Sequence, residues 1–413
     1  MKTRSKIYKL FLLVSVILLI NGLVNYSFSQ WQQAGLDGYY IRTITQSGVN
    51  LFAGTSGDGL YVSSNNGTSW SQLSSGLIGL EFPAFTVSGA NLFAGTEGSG
   101  VFISTNSGSS WTALTPLPNQ NVFALAVSGA NLYAGVDGGG VFRSTNNGST
   151  WTNSTSGMTN TRITSLAVTG NSVFAGTFGG GVFYSTNNGT SWSAVNTGIL
   201  NLDVWTVNIT PSYPGYVFAG TSGGVFYTSN NGNNWISFNS GLTDTYIHTL
   251  AFAGQVIFTG TDFDGVFRST NLGGNWIAMN EGLSNTTVWV LTTAGQYLYA
   301  GTNGNGVFKR ALTELVSVNN SSEVFPENFS LTQNYPNPFN PVTKIKYSLK
   351  EQSIVKLSVY DASGKMIENL KDGMQSKGNF EVEWNAVNYS SGIYYYKLEA
   401  GNYSETKKMI LVK

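Results

Sequence analysis

Residues 122–153 read VFALAVSGANLYAGVDGGGVFRSTNNGSTWTN. Short apolar bursts are separated by clusters of Gly, Asn and Ser. Gly and Asn tolerate the positive φ that tight hairpin turns demand, so this punctuation predicts short strands joined by turns. Four strands are expected: Val122–Val127, Asn131–Ala134, Val141–Ser144 and Thr150–Asn153.

The unit recurs in both directions along the chain. Its marker glycines are Gly54, Gly95, Gly135, Gly176, Gly220, Gly260 and Gly301, spaced by 40 to 44 residues. Trp70, Trp111, Trp151, Trp192, Trp235 and Trp276 keep the same period. Four strands in roughly 40 residues is the pattern of a β-propeller blade. Seven glycines are followed by only six tryptophans, because the last unit stops at Gly301–Arg310. The missing strand is expected at the other end, where Gly35-Leu36 follows Trp31 as Gly76-Leu77 follows Trp70. The reading is an all-β chain: a seven-bladed β-propeller over residues 30–313, with blade 7 closed by the N-terminal strand. Closure leaves only short exposed edges.

Composition agrees. The chain has 413 residues, of which only 10% are charged, 21 basic and 21 acidic, with one His and no Cys. That balance argues against a basic nucleic-acid binder, a coiled coil or a highly charged disordered chain. Disulfides, thiolate metal sites and cysteine nucleophiles are closed to it, and no metal or cofactor is expected. The charge is unevenly spread: residues 30–313 carry 6 basic and 10 acidic groups, residues 314–413 carry 11 of each. At the N-terminus, Lys2, Arg4, Lys6 and Lys9 precede the apolar run Leu10–Ile20, and Ser27-Phe28-Ser29 follows. This is the layout of a secretory signal peptide, residues 1–29, cut after Ser29. The apolar run is too short for a membrane span, which needs about 20 residues, and the mature chain is expected to have none.

Each fourth-strand turn carries a motif, Ser104-x-Asn106-x-Gly108-x-x-Trp111, repeated at Asn65/Trp70, Asn146/Trp151, Asn187/Trp192, Asn230/Trp235 and Asn271/Trp276. Asn folds its side chain onto its own turn, Gly supplies a positive φ, and Trp fills the space between strands. The motif resembles the Asp-box (BNR-like) repeat of sialidases, sortilin-type receptors, some xyloglucan hydrolases and photosystem assembly factors, with Asn in the Asp position. Six copies point to a structural clamp, and the resemblance bears on fold more than on function.

The repeats also align one variable slot at the start of each first strand: Arg42, Pro83, Phe123, Thr164, Trp205, His248 and Trp289. Its preceding neighbours are uniformly apolar, as at Ile41, Val122, Ile163, Val204, Ile247 and Val288. If first strands ring a channel, this slot lines its mouth. Arg42, Phe123, Trp205, His248 and Trp289 then form a candidate ligand platform, since aromatic faces stack on sugars or peptide side chains and Arg reads carboxylates. The competing reading is a plug of the channel. Tyr39, Tyr40, Phe82, Arg162, Asp203 and Tyr246 are expected to extend the rim. The resemblance puts the loops between second and third strands on the same face, bringing Asp58, Glu97, Asp137, Asp262 and Asp264. A glycosidase needs two carboxyl groups about 5–9.5 Å apart, and a sialidase would also need an Arg cluster and a Tyr–Glu pair that the sequence does not offer. Arg143 and Arg268 share one third-strand position and read as structural. Asp262-x-Asp264-Gly265 lacks the remaining ligands of a calcium loop, and His248 has no evident acid partner.

From Glu314 the sequence changes character. Residues 314–327 read as a linker. Asn334-Tyr335-Pro336-Asn337-Pro338-Phe339-Asn340-Pro341, Val359-Tyr360-Asp361-x-x-Gly364, Trp384, Ser391-Gly392-Ile393-Tyr394 and Lys408–Lys413 then follow. Residues 328–413 resemble the type A C-terminal sorting domain of the type IX secretion system. That resemblance implies a small immunoglobulin-like β-sandwich, the secretion translocon as partner, and a recognition signal at Lys408, Leu411 and Lys413. The protein expected is a monomeric, secreted or surface-displayed binding protein for a glycan or polypeptide. The alternatives are an Asp-box glycoside hydrolase or a passive component of the cell surface.

Overall fold

The computed structural model describes residues 30–73, 75–77, 79, 81–315, 328–350, 353–375 and 378–413. The expected signal peptide, and the expected linker beyond residue 315, lie outside them. The described residues are almost entirely β, with one short helix among them at Leu312–Leu315, and the chain divides into two compact units at residue 317.

In the first unit, Ile41–Ser47, Asn50–Thr55, Leu60–Ser63 and Ser71–Leu73 pair in order as an antiparallel meander. Five more four-stranded sheets of the same order follow, ending with Ile277–Ala278. A further sheet is built from Val288–Ala294, Tyr297–Thr302 and Val307–Ala311, and its outermost strand is Gln32–Gln33. There Gln32 lies opposite Lys309 and Gln33 opposite Phe308. The first strands of successive sheets are neighbours, and the strand at Val288–Ala294 returns to contact Ile41–Ser47. The sheets therefore close a ring.

Burial explains the repeating letters. Second strands such as Asn91–Thr96 are covered on both faces by adjacent sheets, so Leu92, Phe93 and Ala94 are all buried. Fourth strands are two or three residues long and mostly exposed, as at Thr152–Asn153, which blunts the outer edge. The fourth strands are shorter than the sequence predicts, and Trp151 precedes its strand. The reason is visible at the equivalent tryptophans. The backbone N–H groups of Trp111, Trp192, Trp235 and Trp276 donate to Ser75, Ser156, Thr197 and Ser240, in the preceding repeat. Their main chain is spent on the neighbour. The indoles of Trp70, Trp192, Trp235 and Trp276 donate likewise to Ala34, Ser154, Val195 and Phe238 carbonyls at 2.7 Å. Trp31 does the same to Met279 at 2.6 Å, and its N–H to Glu281. It is the seventh member of the set.

The turn before each Trp follows one pattern. Ser63 Oγ donates to Asn65 Oδ1, which also accepts from Ser69 N–H, while Gly67 N–H donates to Ser63 Oγ, all at 2.9 Å. The positive φ is not confined to Gly, as expected from sequence. The residue before it is also left-handed, at 56° for Asn66 and 58° for Ser107. Asn at several of these positions fits, because its short polar side chain tolerates that region.

The marker glycines sit where adjacent sheets approach most closely. None has a positive φ. Instead, a Cβ on Gly301 would lie 2.5 Å from Ile41 Cγ2, one on Gly220 2.6 Å from Ile247 Cγ2, and one on Gly260 2.7 Å from Val288 Cγ1. Each glycine faces the apolar residue that opens the next sheet, and Gly301–Ile41 closes the circle.

The second unit has a three-stranded sheet (Ser330–Leu331, Val342–Leu349, Gly378–Asn385) and a four-stranded one (Met366–Gln375, Ser353–Tyr360, Gly392–Ala400, Tyr403–Leu411). Both face one core containing Ile345, Tyr347, Leu357, Trp384, Tyr396 and Leu411. The Asn-Tyr-Pro-Asn-Pro stretch is pinned by Asn334, a buried polar residue. Its N–H donates to Tyr396 Oη and its Nδ2 to Thr343 Oγ1, at 2.8 and 2.9 Å.

Overpacking a close-packed contact costs about 1–3 kcal/mol. Gly301→Ala should therefore lower the stability of the first unit by about that amount, read as a fall in the urea midpoint at unchanged m-value. An unchanged midpoint would mean that the ring is not sealed by this contact.

Candidate functional site

The variable slot owes its direction to a break in register. In the first hairpin of six of the ring's sheets the pairing slips by one residue, between Ile41/Thr43, Val122/Ala124, Ile163/Ser165, Val204/Thr206, Ile247/Thr249 and Val288/Val290. The residues passed over are Arg42, Phe123, Thr164, Trp205, His248 and Trp289. A bulge leaves its extra residue unpaired and re-aims its side chain. In the remaining sheet Pro83, which has no N–H to pair, stands just before the strand Ala84–Ser88.

These seven side chains converge. All of them line a cavity of about 260 Å³ at the mouth, together with Asp137, Arg162, Ile163 and Phe178. The same seven border a second cavity of about 350 Å³ further along the ring axis, floored by the next residues of each strand, such as Thr43, Ala124 and Thr206. The slot is thus a collar bordering both spaces.

Aromatic rings form two groups around the collar. Trp205 contacts Phe178, Tyr246 and His248 with centroids 5.4–5.5 Å away. On the sheet next to that of His248, Trp289 lies 6.2 Å from Tyr40, with the Arg42 guanidinium over its face at 5.2 Å. Of the other expected rim residues, Arg162 lines the cavity and lies 4.5 Å over Phe178. Tyr39 packs on Tyr61. Phe82 is a correction: it is fully buried and packs on Gly54, because it occupies the sealing position of its sheet rather than the rim.

Every basic group at the collar already has an acid. Arg42 pairs with Glu97 at 3.5 Å, Arg162 with Asp137 at 3.2 Å, and His248 Nε2 lies 2.9 Å from Asp262 Oδ1. The last corrects the sequence reading that His248 lacks an acid partner. The antiparallel hairpin sets Asp262 across from Tyr246, and the bulge after Ile247 lets His248 reach it although the two are 14 positions apart. Burial holds His248 below the usual imidazole range against the opposing pull of Asp262. Burial likewise pushes the Glu97 carboxyl up to about 7, helped by a hydrogen bond with Glu81 and by its charge, while Arg42 pulls the other way. Asp264 accepts from Thr243. Away from the mouth, Arg143 donates to Asn131 and Arg268 to the Leu315 carbonyl.

Two features of the site escaped the sequence reading. Phe178 stands where the neighbouring repeats have Asp137 and Glu97, an irregularity visible once the repeats are aligned. The rim is also stiffened by a clamp: Asn119, Asn160, Asn201, Asp244 and Asn285 each accept the N–H two residues on. Asn119, Asn160 and Asn285 also donate to the Asp137, Phe178 and Asn303 carbonyls, tying the two mouth loops of one sheet together. Their spacing near 41 residues was the available signal.

In the second unit, Lys408 is exposed opposite Tyr395, and Leu411 is buried in the core. Lys413 donates through its N–H to Ser391 Oγ and through Nζ to the Val387 carbonyl.

Residues 333–413 match the family of secretion system C-terminal sorting domains. The chain carries a type IX sorting domain. This domain marks the protein for export to the cell surface or the extracellular space, and among the described residues no helix is long and apolar enough to cross a membrane. None of the curated proteins matches the chain. Among solved structures, YCF48 bound to D1 peptide superposes with a TM-score of 0.58 at 14% identity, covering 71% of this chain and 98% of that one. PorZ, a surface component of the type IX secretion system of Porphyromonas gingivalis, gives 0.52 at 15% identity, covering 91% and 59%. The GH74 enzyme of Niastella koreensis gives 0.54 at 19%, covering 67% and 43%. At these identities the likeness is one of fold, a β-propeller-like ring.

The raised Glu97 carboxyl has a definite sign. The folded state holds its proton more tightly than the unfolded chain, so its contribution lowers stability as pH rises from about 4.5 to about 7. Glu97→Gln removes that dependence. The melting temperature of the unsubstituted protein should fall relative to the variant across this window, with the other groups cancelling in the difference. Parallel curves would show that Glu97 is an ordinary surface carboxylate.

Proposed function

We propose that the protein is a secreted or cell-surface binding protein. In this reading residues 1–29 are a signal peptide and residues 30–313 a seven-bladed propeller of Asp-box type. Residues 314–327 link it to an immunoglobulin-like sorting sandwich at 328–413, and the exported protein acts as a monomer. Its ligand, a glycan or a polypeptide, is taken at the mouth by Arg42, Phe123, Trp205, His248 and Trp289. The observation that carries this is the convergence of one bulged or strand-opening residue from every sheet onto a single cavity. Variation at the position where the copies meet fits a role in recognition, and concave sites lined by aromatic rings with a few polar groups are the usual form of a ligand pocket. YCF48, of similar fold, was solved bound to a peptide, which supports the polypeptide arm.

The glycosidase alternative draws on one observation, the contact between Glu81 and Glu97. Glu81 helps to raise the Glu97 carboxyl, as a general acid requires, but neither residue is among those lining the mouth cavity. Their place outside the lining supports binding over hydrolysis.

The mature protein on glycan and peptide arrays should show a discrete set of ligands, and the double variant Trp205→Ala/Trp289→Ala should lose them while keeping its thermal transition. Unchanged binding in that variant would remove the collar as the site. For the export route, deletion of Lys408–Lys413 should leave the protein in the periplasm by cell fractionation. Normal surface delivery would place the sorting signal elsewhere in the second unit.

A further inference from the structure

The collar's chemistry narrows the ligand beyond this, on the premise that the collar binds one. We propose that the mouth selects an uncharged, apolar side chain presented on a polypeptide segment, with the side chain in the cavity and the flanking backbone across the rim.

Charge is the first argument. Arg42 faces the hydrogen-bonded Glu81–Glu97 pair, Arg162 faces Asp137, and His248 faces Asp262. The two guanidinium planes are also laid on Trp289 and Phe178. An anionic ligand would meet, beside each of these cations, an acid already in place that repels it.

The second argument is hydrogen bonding. Several polar atoms of the lining are turned to partners within the protein. Trp205 Nε1 donates to Ser222 Oγ at 2.9 Å, His248 Nε2 is engaged by Asp262, and Thr164 Oγ1 donates to the Val204 carbonyl. A sugar entering this cavity would find these atoms engaged, and each hydroxyl left without a partner on burial is costly. An apolar side chain incurs no such cost, and about 260 Å³ is ample room for one.

The third is the rim. Six large hydrophobic residues of the first unit are exposed among those described, and four stand on the mouth-face loops: Tyr40 at 47%, Leu200 at 87%, Leu202 at 39% and Phe263 at 67%. Tyr40 lies against Trp289. The Leu202 carbonyl accepts from the N–H groups of Gly179 and Gly181, beside Phe178. Phe263 follows Asp262 and is fixed by its N–H to Asp244. Leucine tips do not stack on sugars, whereas apolar and aromatic anchors depleted of charge are the composition of a polypeptide interface core.

The test uses the mature full chain and end-capped Gly/Ser/Ala host peptides carrying one central Leu, Phe, Glu or Lys. Neutral oligosaccharides and phosphatidylcholine vesicles serve as comparators. Leu and Phe guests should bind at least about tenfold tighter than Glu or Lys guests, with an affinity that does not weaken as salt is raised. The double variant Leu200→Ser/Phe263→Ser, altered only at exposed positions, should bind about tenfold more weakly. Preference for a charged guest, loss of affinity with salt, or full affinity in the double variant would each overturn the proposal. So would binding of the vesicles or the oligosaccharides in place of the peptides. Oligosaccharide binding that Trp289→Ala abolishes would leave the collar a ligand site and this inference wrong. Absence of binding by every probe would remove both.

Discussion

The first unit depends on how closely one sheet can approach the next. In each repeat a glycine in the second strand presents bare backbone to the Ile, Val or Phe that opens the following sheet, from Gly54 with Phe82 round to Gly301 with Ile41. A methyl group at these glycines would stand at 2.5 Å from Ile41 and 2.6 Å from Ile247, well inside van der Waals contact. Backbone freedom is not the reason for glycine here, since these residues keep ordinary φ values. Glycine is required because interiors are packed at crystal-like density and a methylene more or less is felt. The same contact sets the radius of the collar, because each slot residue follows its sheet's sealing residue directly, with Pro83 after Phe82 as Arg42 is after Ile41.

The collar therefore combines a rigid frame with freely varied side chains. Bulges aim the variable residues inward, the Asn/Asp clamps fix the loops around them, and neither device constrains what the slot holds. That separation is the usual division between scaffold and site. The electrostatics follow from the same economy. Arg42 and Arg162 each lie over an aromatic ring and beside an acid, which holds them in place at little net charge.

The sequence revealed the periodic features and concealed the exceptional ones. Seven repeats, Trp31 as the stray tryptophan and the slot itself were legible because period-41 spacing supplies its own alignment. Phe82 was misplaced because its repeat is offset around Pro83, so a sealing residue looked like a rim residue. His248 and Asp262 were not paired because neither the bulge nor the hairpin register is written in single-residue propensities. The positive φ at Ser107 and Leu272 was hidden for the same reason: neither residue type advertises it. In the second unit, Asn334 was noticed as part of a motif, but its burial beneath Tyr396 could be learned only from the fold.

The pairing of Gln32–Gln33 with Phe308–Lys309 has a wider consequence. Linear repeat arrays end in solvent-facing caps, and their stability is a sum over neighbours that can fray from either end. Here each sheet has two neighbours, the array has no first or last member, and the interface count equals the sheet count. A defect in any one sheet weakens two interfaces at once, and no partial array can bury the open faces it would leave. Cooperativity is thus a topological property of the circle. Where the polypeptide starts is a detail of threading, whereas the number of interfaces is fixed by the closed path.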